Sequence, residues 1–242
     1  MRVLWVVSHL CLSTGILSIP ILLFGWFDRD KKMVGKIMRL WASWMIWSIG
    51  IKSQIKGLEN LEPDSQYVFM CNHESALDIL IGIKYLPYNL VFLAKKELFV
   101  IPFFGWALKA SGMIRIDREN KEKAKSSVEN AINIFKQAKF STLLYPEGTR
   151  SQSGEILPFK KGGFILAIRS KLPIVPLTII GASSILPSKS LQLAKGDVAL
   201  FINKPIITIN IAEEDKDKIL DQCRNIIIEN KNKYENKSIQ HS

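Results

Sequence analysis

The chain has 242 residues, of which 48% are apolar and 23% charged, and a formal charge of +11. Those proportions exclude a disordered chain and leave room for one full α/β domain plus an appendage, while the positive balance points to anionic partners. Three scattered cysteines (Cys11, Cys71, Cys223) have neither C-x-x-C nor metal spacing, which excludes a disulfide framework and fits a reducing compartment.

Val3 to Phe27 carries no Asp, Glu, Lys or Arg over 25 residues, its polar positions being Ser8, His9, Ser13, Thr14 and Ser18. As a helix it would be about 37 Å long, enough to cross a bilayer with some tilt. A cleaved signal peptide fits less well, because a second apolar segment follows and no small-x-small site stands between them. That second segment, Met33 to Ile51, sets Lys36, Arg39, Ser43 and Gly50 on one side and Ile37, Trp41, Trp44 and Met45 on another. This is the pattern of a helix lying in a membrane interface or packed on the first helix. Trp5, Trp26, Trp41, Trp44 and Trp47 all fall in this region, with Lys and Arg nearby, as expected of interfacial anchors rather than of a core helix pair. Residues 1–52 are therefore expected to form a hydrophobic helix-hairpin membrane anchor. If the first segment spans and the second does not, the Arg29 to Arg39 cluster and the following domain lie at the cytoplasmic face. A shallow hairpin in one leaflet satisfies the same constraints, and the sequence leaves both open.

After Ile51 short apolar runs alternate with longer amphipathic ones. Strands are expected at 51–56, 67–72, 90–94, 113–117, 141–145, 174–180 and 198–203. Helices are expected at 78–84, 104–110, 121–139, 163–169 and 213–230. The alternation predicts an α/β fold, a single domain over 53–230 with a largely parallel central sheet flanked by helices. The Lys- and Asn-rich residues 231–242 are expected to be a frayed polar tail. In such a fold, functional residues gather where strands end.

Four strand ends carry chemistry. Cys71-Asn72-His73-Glu74-Ser75-Ala76-Leu77-Asp78 places a His and an Asp five residues apart. Along a regular helix that spacing turns the side chains about 140° apart, so they meet only if His73 sits in a strand-to-helix turn and Asp78 in the first helical turn. Ser75 to Asp78 reads as the N-terminal cap box that would build this turn. A His held by a carboxylate there is a candidate general base. Cys71 reads as a small buried hydrophobe. Next come Lys95-Lys96-Glu97-Leu98, Gly112 to Arg118, and Tyr145-Pro146-Glu147-Gly148-Thr149-Arg150, each delivering a cation to a turn where it could bind a phosphate. Gly148 marks a tight turn that brings Glu147 and Arg150 into one loop. Three His (His9, His73, His241) are too few and too scattered for a metal cluster, and no nucleic-acid-binding motif accompanies the charge.

In this order, and followed by Leu172-Pro173-Ile174-Val175-Pro176, these motifs closely resemble the glycerolipid acyltransferase family over about Lys56 to Pro205. The likeness is greatest to the bacterial 1-acylglycerol-3-phosphate acyltransferases, whose hydrophobic N-terminal helix pair agrees with the reading of residues 1–52. The resemblance implies that 53–230 is an acyltransferase domain. It implies acyl transfer from acyl-CoA or acyl carrier protein to the sn-2 hydroxyl of 1-acyl-sn-glycerol-3-phosphate, giving phosphatidate, with no cofactor beyond that co-substrate. His73 would be the base and Asp78 its orienting partner, with no acyl-enzyme. Lys95, Arg118 and Arg150 would hold the phosphate, Lys96 and Arg115 being alternatives within their segments. Glu147 would help position the acceptor's glycerol or the loop itself, with Gly148 and Thr149 in the same substrate-binding loop. The implied partners are the lysophosphatidate, an anionic bilayer surface and the acyl donor, and not nucleic acid. Tyr145 and Arg115 depart from the family's usual Phe and apolar residue. Another acceptor (glycerol-3-phosphate, a lysophospholipid or an aminolipid) uses the same scaffold. A membrane-associated lipid hydrolase using Ser75 is the reading from a different class, opposed by the missing G-x-S-x-G elbow.

Overall fold

The computed structural model describes residues 1–117, 121–137, 139–190 and 192–239. The elements are α1 (Arg2–Phe24), α2 (Lys32–Ile49), β1 (Ile51–Lys56), β2 (Val68–Cys71), α3 (Leu77–Tyr85), β3 (Leu93–Lys95), α4 (Phe104–Ala110), β4 (Ile114–Ile116), α5 (Lys121–Gln137), β5 (Thr142–Leu144), α6 (Gly162–Ser170), β6 (Ile174–Ile180), α7 (Ala182–Ile185), β7 (Gly196–Ile202) and α8 (Lys216–Ile239). All seven expected strands are present. By internal contacts the chain forms two units, one from Met1–Gly50 and Ile79–Leu143, the other from Ile51–Asp78 and Leu144–Ser242.

In the first unit α1 and α2 form an antiparallel hairpin. Trp5 Nε1 donates to the Ser48 carbonyl at 3.2 Å, Trp41 Nε1 donates to Thr14 Oγ1 at 3.1 Å, and Arg2 reaches the Ile49 carbonyl. The charged connection closes on Asp28, whose carboxylate accepts from the backbone N–H groups of Lys32 and Val34 at 3.0 and 2.8 Å. That caps α2 at the end where helical N–H groups have no internal partner. Among the described residues one helix, α1, is long and apolar enough to cross a membrane, with 17% of its apolar window buried. β3 and β4 pair in parallel as a small sheet of their own, separate from the main one.

The main sheet is ordered β1-β7-β6-β2-β5, and its first four strands belong to the second unit. β1 and β7 are parallel, as are β2 and β6, while β6 and β7 run antiparallel. The sheet is thus mostly parallel, with helices on it, as the alternating pattern predicts. β2 and β6 are buried along their whole length, so both read as continuous apolar runs rather than alternating ones. α6 and α8 pack against each other and over β2 and β6.

α8 continues to Ile239, through most of the stretch expected to fray. Three residues of its last described turns have partners. Lys231 pairs with Glu74, the Tyr234 ring meets Phe201 edge-on at 5.8 Å, and Lys233 lies 3.9 Å from Glu229 one turn earlier. Low hydrophobicity signals fraying, whereas Lys231 and Tyr234 have partners far away in the sequence.

One side chain decides where the main chain leaves the sheet. Asn72, 1% exposed, donates from Nδ2 to the Ile179 carbonyl at 2.9 Å and accepts the Ile179 N–H on Oδ1 at 2.8 Å. The side-chain amide thus imitates one more backbone pair of the β2–β6 ladder. The backbone is released into the turn at His73 with the N–H and carbonyl of Ile179 both paired. Asn72→Ala should cost about 2–4 kcal/mol of stability, since it strands both Ile179 groups. Denaturant unfolding of the detergent-solubilised chain checks this, and a loss under about 0.5 kcal/mol would show that the amide is not needed.

Candidate active site

The turn after β2 is held by Asp78. Its Oδ2 accepts from His73 Nδ1 at 2.9 Å and from the backbone N–H groups of Glu74 and Ser75, each at 2.8 Å. Asp78 is fully buried, while the His73 side chain keeps 15% exposure. A carboxylate can only accept, so Nδ1 carries the proton and Nε2 of the neutral ring keeps its lone pair. The cap box coexists with the dyad, because one oxygen serves both the imidazole and the N–H groups that open α3. Ser75 is a cap in fact. Its Oγ accepts from Leu77 N–H at 3.2 Å and donates to the Leu186 carbonyl at 2.8 Å, an arrangement that turns it to structural work rather than to His73.

The ring plane of His73 is set by Tyr145, stacked on it at 4.1 Å with 22° between planes. Burial pushes the Tyr145 phenol well above its ordinary range, with Cys71 and Asp78 adding to the shift. It is a neutral ring against the imidazole. Burial also pushes the Cys71 thiol up, reinforced by Asp78, Glu147 and Glu74, so no thiolate is available there.

Glu147 ties the second loop to this turn. Its Oε1 accepts the His73 N–H at 2.7 Å and its Oε2 accepts the Leu157 N–H at 2.9 Å. Burial raises its pKa, and these two bonds and the nearby His73 oppose the rise. Ser151 N–H donates back to the His73 carbonyl at 2.8 Å. The loop folds tightly, with Gly148 N–H donating to the Tyr145 carbonyl at 3.0 Å and a φ of +74° at Gly148. A side chain there would be strained, and its Cβ would come within 2.6 Å of the Lys160 ammonium. Thr149 is exposed and Arg150 half-buried, so the loop carries two cations, Arg150 and Lys160. Lys160 is absent from the sequence-level list. Its only local sign was the Lys160-Lys161-Gly162-Gly163 run that opens α6.

His73, Asp78, Glu147, Gly148, Thr149 and Arg150 all lie in the second unit. Lys95 lies in the first unit, half-exposed at the end of β3 and 3.7 Å from Glu97. Its neighbour Lys96 is engaged by Asp117 at 2.9 Å. Arg115 is exposed on β4. Arg118 lies outside the described residues.

A profile of the acyltransferase family matches residues 52–180, more than half of the chain and the segment that carries this geometry. The chain belongs to the acyltransferase family. It is 36% identical over 209 residues to the chloroplastic 1-acyl-sn-glycerol-3-phosphate acyltransferase BAT2 of Brassica napus, covering 85% of this chain and 58% of that protein. It is 34% identical over 188 residues to the 1-acyl-sn-glycerol-3-phosphate acyltransferase of Saccharomyces cerevisiae, covering 74% of this chain and 62% of that one. The chain therefore spans under two thirds of the length of these relatives. In fold it is similar to the crystal structure of the 1-acyl-sn-glycerophosphate acyltransferase PlsC of Thermotoga maritima. That likeness has a TM-score of 0.78 at 22% identity and covers 97% of this chain and 98% of the other.

Behind the dyad is a second buried carboxylate with no counterpart in the sequence reading. Glu74 is 3% exposed, and Lys231 of α8 pairs with its Oε1. Ser183 Oγ donates to Oε2 at 3.1 Å and Asn72 Nδ2 reaches Oε1 at 3.3 Å. Glu74 also supplies one of the N–H groups on Asp78, so α8 helps hold the turn. Lys231→Met should cost about 3–5 kcal/mol by leaving Glu74 charged and unpaired, and Glu74→Gln with Lys231→Met should restore most of it. Unfolding of the two single variants and the double variant tests this, and strictly additive losses would show that the two residues do not act as a pair.

Proposed function

We propose that the chain transfers an acyl group from an acyl thioester, acyl-CoA or acyl carrier protein, to the sn-2 hydroxyl of 1-acyl-sn-glycerol-3-phosphate, giving phosphatidate. The single observation that carries the chemistry is the 2.9 Å bond from His73 Nδ1 to a fully buried Asp78. It leaves Nε2 as a base at a partly open position. The activity for which the relatives are named supplies the acceptor.

In this reading Nε2 of His73 removes the proton of the acceptor hydroxyl as its oxygen attacks the thioester carbonyl. The C–O bond forms, the tetrahedral oxyanion collapses, the C–S bond breaks, and the thiolate takes the proton from the imidazolium. Asp78 fixes the tautomer beforehand and stabilises the imidazolium while it exists. No acyl-enzyme is required, because the alcohol is the nucleophile and the thioester is already activated. Arg150, with Lys160 beside it, would bind the acceptor phosphate, Arg as a fork and Lys as a point charge. The burial of Glu147 (4% exposed) and the backbone N–H group on each of its oxygens support a role as a loop tie. Lys95 is proposed from the family motif alone, and so is Arg118. The α1–α2 hairpin would seat the chain at the cytoplasmic face of the membrane, where its net charge of +11 favours an anionic leaflet.

Purified chain, labelled acyl thioesters and a panel of glycerol and lysophospholipid acceptors test the reaction, and preference for an unphosphorylated acceptor would contradict it. His73→Ala should lower kcat by about 10³-fold or more without changing membrane association. Asp78→Asn should lower it by a similar factor, because an amide can present a donor to Nδ1 and reverse the tautomer. Normal turnover in either variant would remove the dyad from the mechanism. Arg150→Ala should act chiefly on KM or kcat/KM for the phosphorylated acceptor, and an unchanged value would remove Arg150 from the phosphate site.

A further inference from the structure

Of ten large apolar side chains exposed beyond residue 50 among the described residues, six lie between Leu98 and Trp106: Leu98, Val100, Ile101, Phe103, Phe104 and Trp106. They sit in the first unit, on the turn that leads into α4. Val100 is 76% exposed and Phe103 66%. The stretch from Leu98 to Leu108 has no charged residue, and Glu97 and Lys109 bound it. A soluble surface scatters such side chains singly; a cluster marks a surface that something apolar covers.

The turn is stiff. Gly105 N–H donates to the Ile101 carbonyl and Phe104 N–H to the Pro102 carbonyl, both at 2.7 Å. A Cβ at Gly105 would stand 2.3 Å from the Phe99 carbonyl oxygen, so only glycine closes the turn this way. Phe103 is held at a φ of +61°, a strained conformation for an aromatic residue. Its ring packs edge-on against Trp106 at 5.1 Å and otherwise points outward. Strain that holds a phenylalanine in water has no return within the chain itself.

Two observations name the occupant. First, the end of α1 abuts the far end of α4. A Cβ on Gly25 would lie 2.8 Å from the Ala110 carbonyl oxygen, and next to it Trp26 and Phe27 are exposed. α4 has seven residues, so the apolar turn is about 10 Å along it from the end of the membrane-length helix. Second, cations outnumber anions at the flanks: Lys95 is half-exposed and Arg29, Lys32 and Lys109 are exposed, beside the half-buried Asp28, Asp30 and Glu97. Apolar tip and basic rim together match acyl chains beneath anionic headgroups.

We propose that the Leu98–Trp106 turn is a second membrane-insertion point, entering the acyl region of an anionic leaflet beside the end of α1. This rests on the reading of α1 as a membrane helix. One helix lets a domain swivel about its axis; a second, rigid contact off that axis fixes the orientation of this unit to the bilayer.

The test uses the full chain with Cys11→Ser and Val100→Cys, labelled at position 100 with an environment-sensitive nitrobenzoxadiazole probe. Cys71 and Cys223 are fully buried and stay unlabelled in the folded chain. On phosphatidylcholine–phosphatidylglycerol vesicles the probe emission should shift to the blue, and brominated acyl chains should quench it. Phe103→Ser with Trp106→Ser should reduce both effects while tryptophan fluorescence from α1 and α2 is still quenched. A probe that stays in water while those tryptophans are quenched overturns the second insertion point and leaves the anchor standing. Absence of quenching at both places overturns the anchor as well. A blue shift that needs no vesicles and grows with protein concentration assigns the patch to a second copy of the chain and overturns the lipid reading.

Discussion

A single carboxylate oxygen organises the second unit's functional turn. Asp78 Oδ2 gathers one imidazole N–H and two backbone N–H groups while the residue is wholly removed from water. An anion buried that deeply is tolerated only when its charge is met by donors. Here the donors are the groups that give the turn its shape. Holding the imidazole and starting α3 are therefore one interaction. That resolves the conflict in the five-residue spacing, which no regular helix could bring together.

The cost of the arrangement is an accumulation of negative charge. Asp78, Glu74 and Glu147 are all buried around His73, and each is answered differently. Asp78 uses backbone N–H groups and the ring itself. Glu147 uses the N–H groups of His73 and Leu157, and Glu74 uses an ammonium delivered by α8 together with Ser183 and Asn72. Three carboxylates around the imidazole would repel a phosphate. The cations Arg150 and Lys160 stand on the next loop instead, so the proposed phosphate-binding end and the proposed base would be kept apart.

Much of this was legible in the sequence because it is local. Continuous apolar runs located β2 and β6, and the Ser75–Asp78 spacing announced the cap. The His73–Asp78 pair was readable once the chain had to turn between strand and helix. What was not legible depends on distance along the chain. The residues that hold Asn72 and Glu74 (Ile179, Ser183 and Lys231) lie more than 100 positions away, and no periodicity reports such pairs. For the same reason α8 outran its polar composition. The two backbone N–H groups directed at Glu147 were not legible either, since His73 lies 74 positions before it and Leu157 ten after. The separation of β3 and β4 into their own sheet was likewise invisible, since a three-residue run states that it is extended but not with which strand it pairs.

The account stands on the protonation pattern that Asp78 imposes on His73, and heteronuclear imidazole NMR on histidine-labelled protein reads that pattern directly. The chain has three histidines, His9, His73 and His241, so comparison with His73→Ala isolates the signal. At neutral pH the neutral His73 ring should carry its proton on Nδ1, with Nε2 unprotonated, and Asp78→Ala should abolish that preference. A neutral ring protonated on Nε2 in the native chain would contradict the account, because the nitrogen needed as base would already hold a proton.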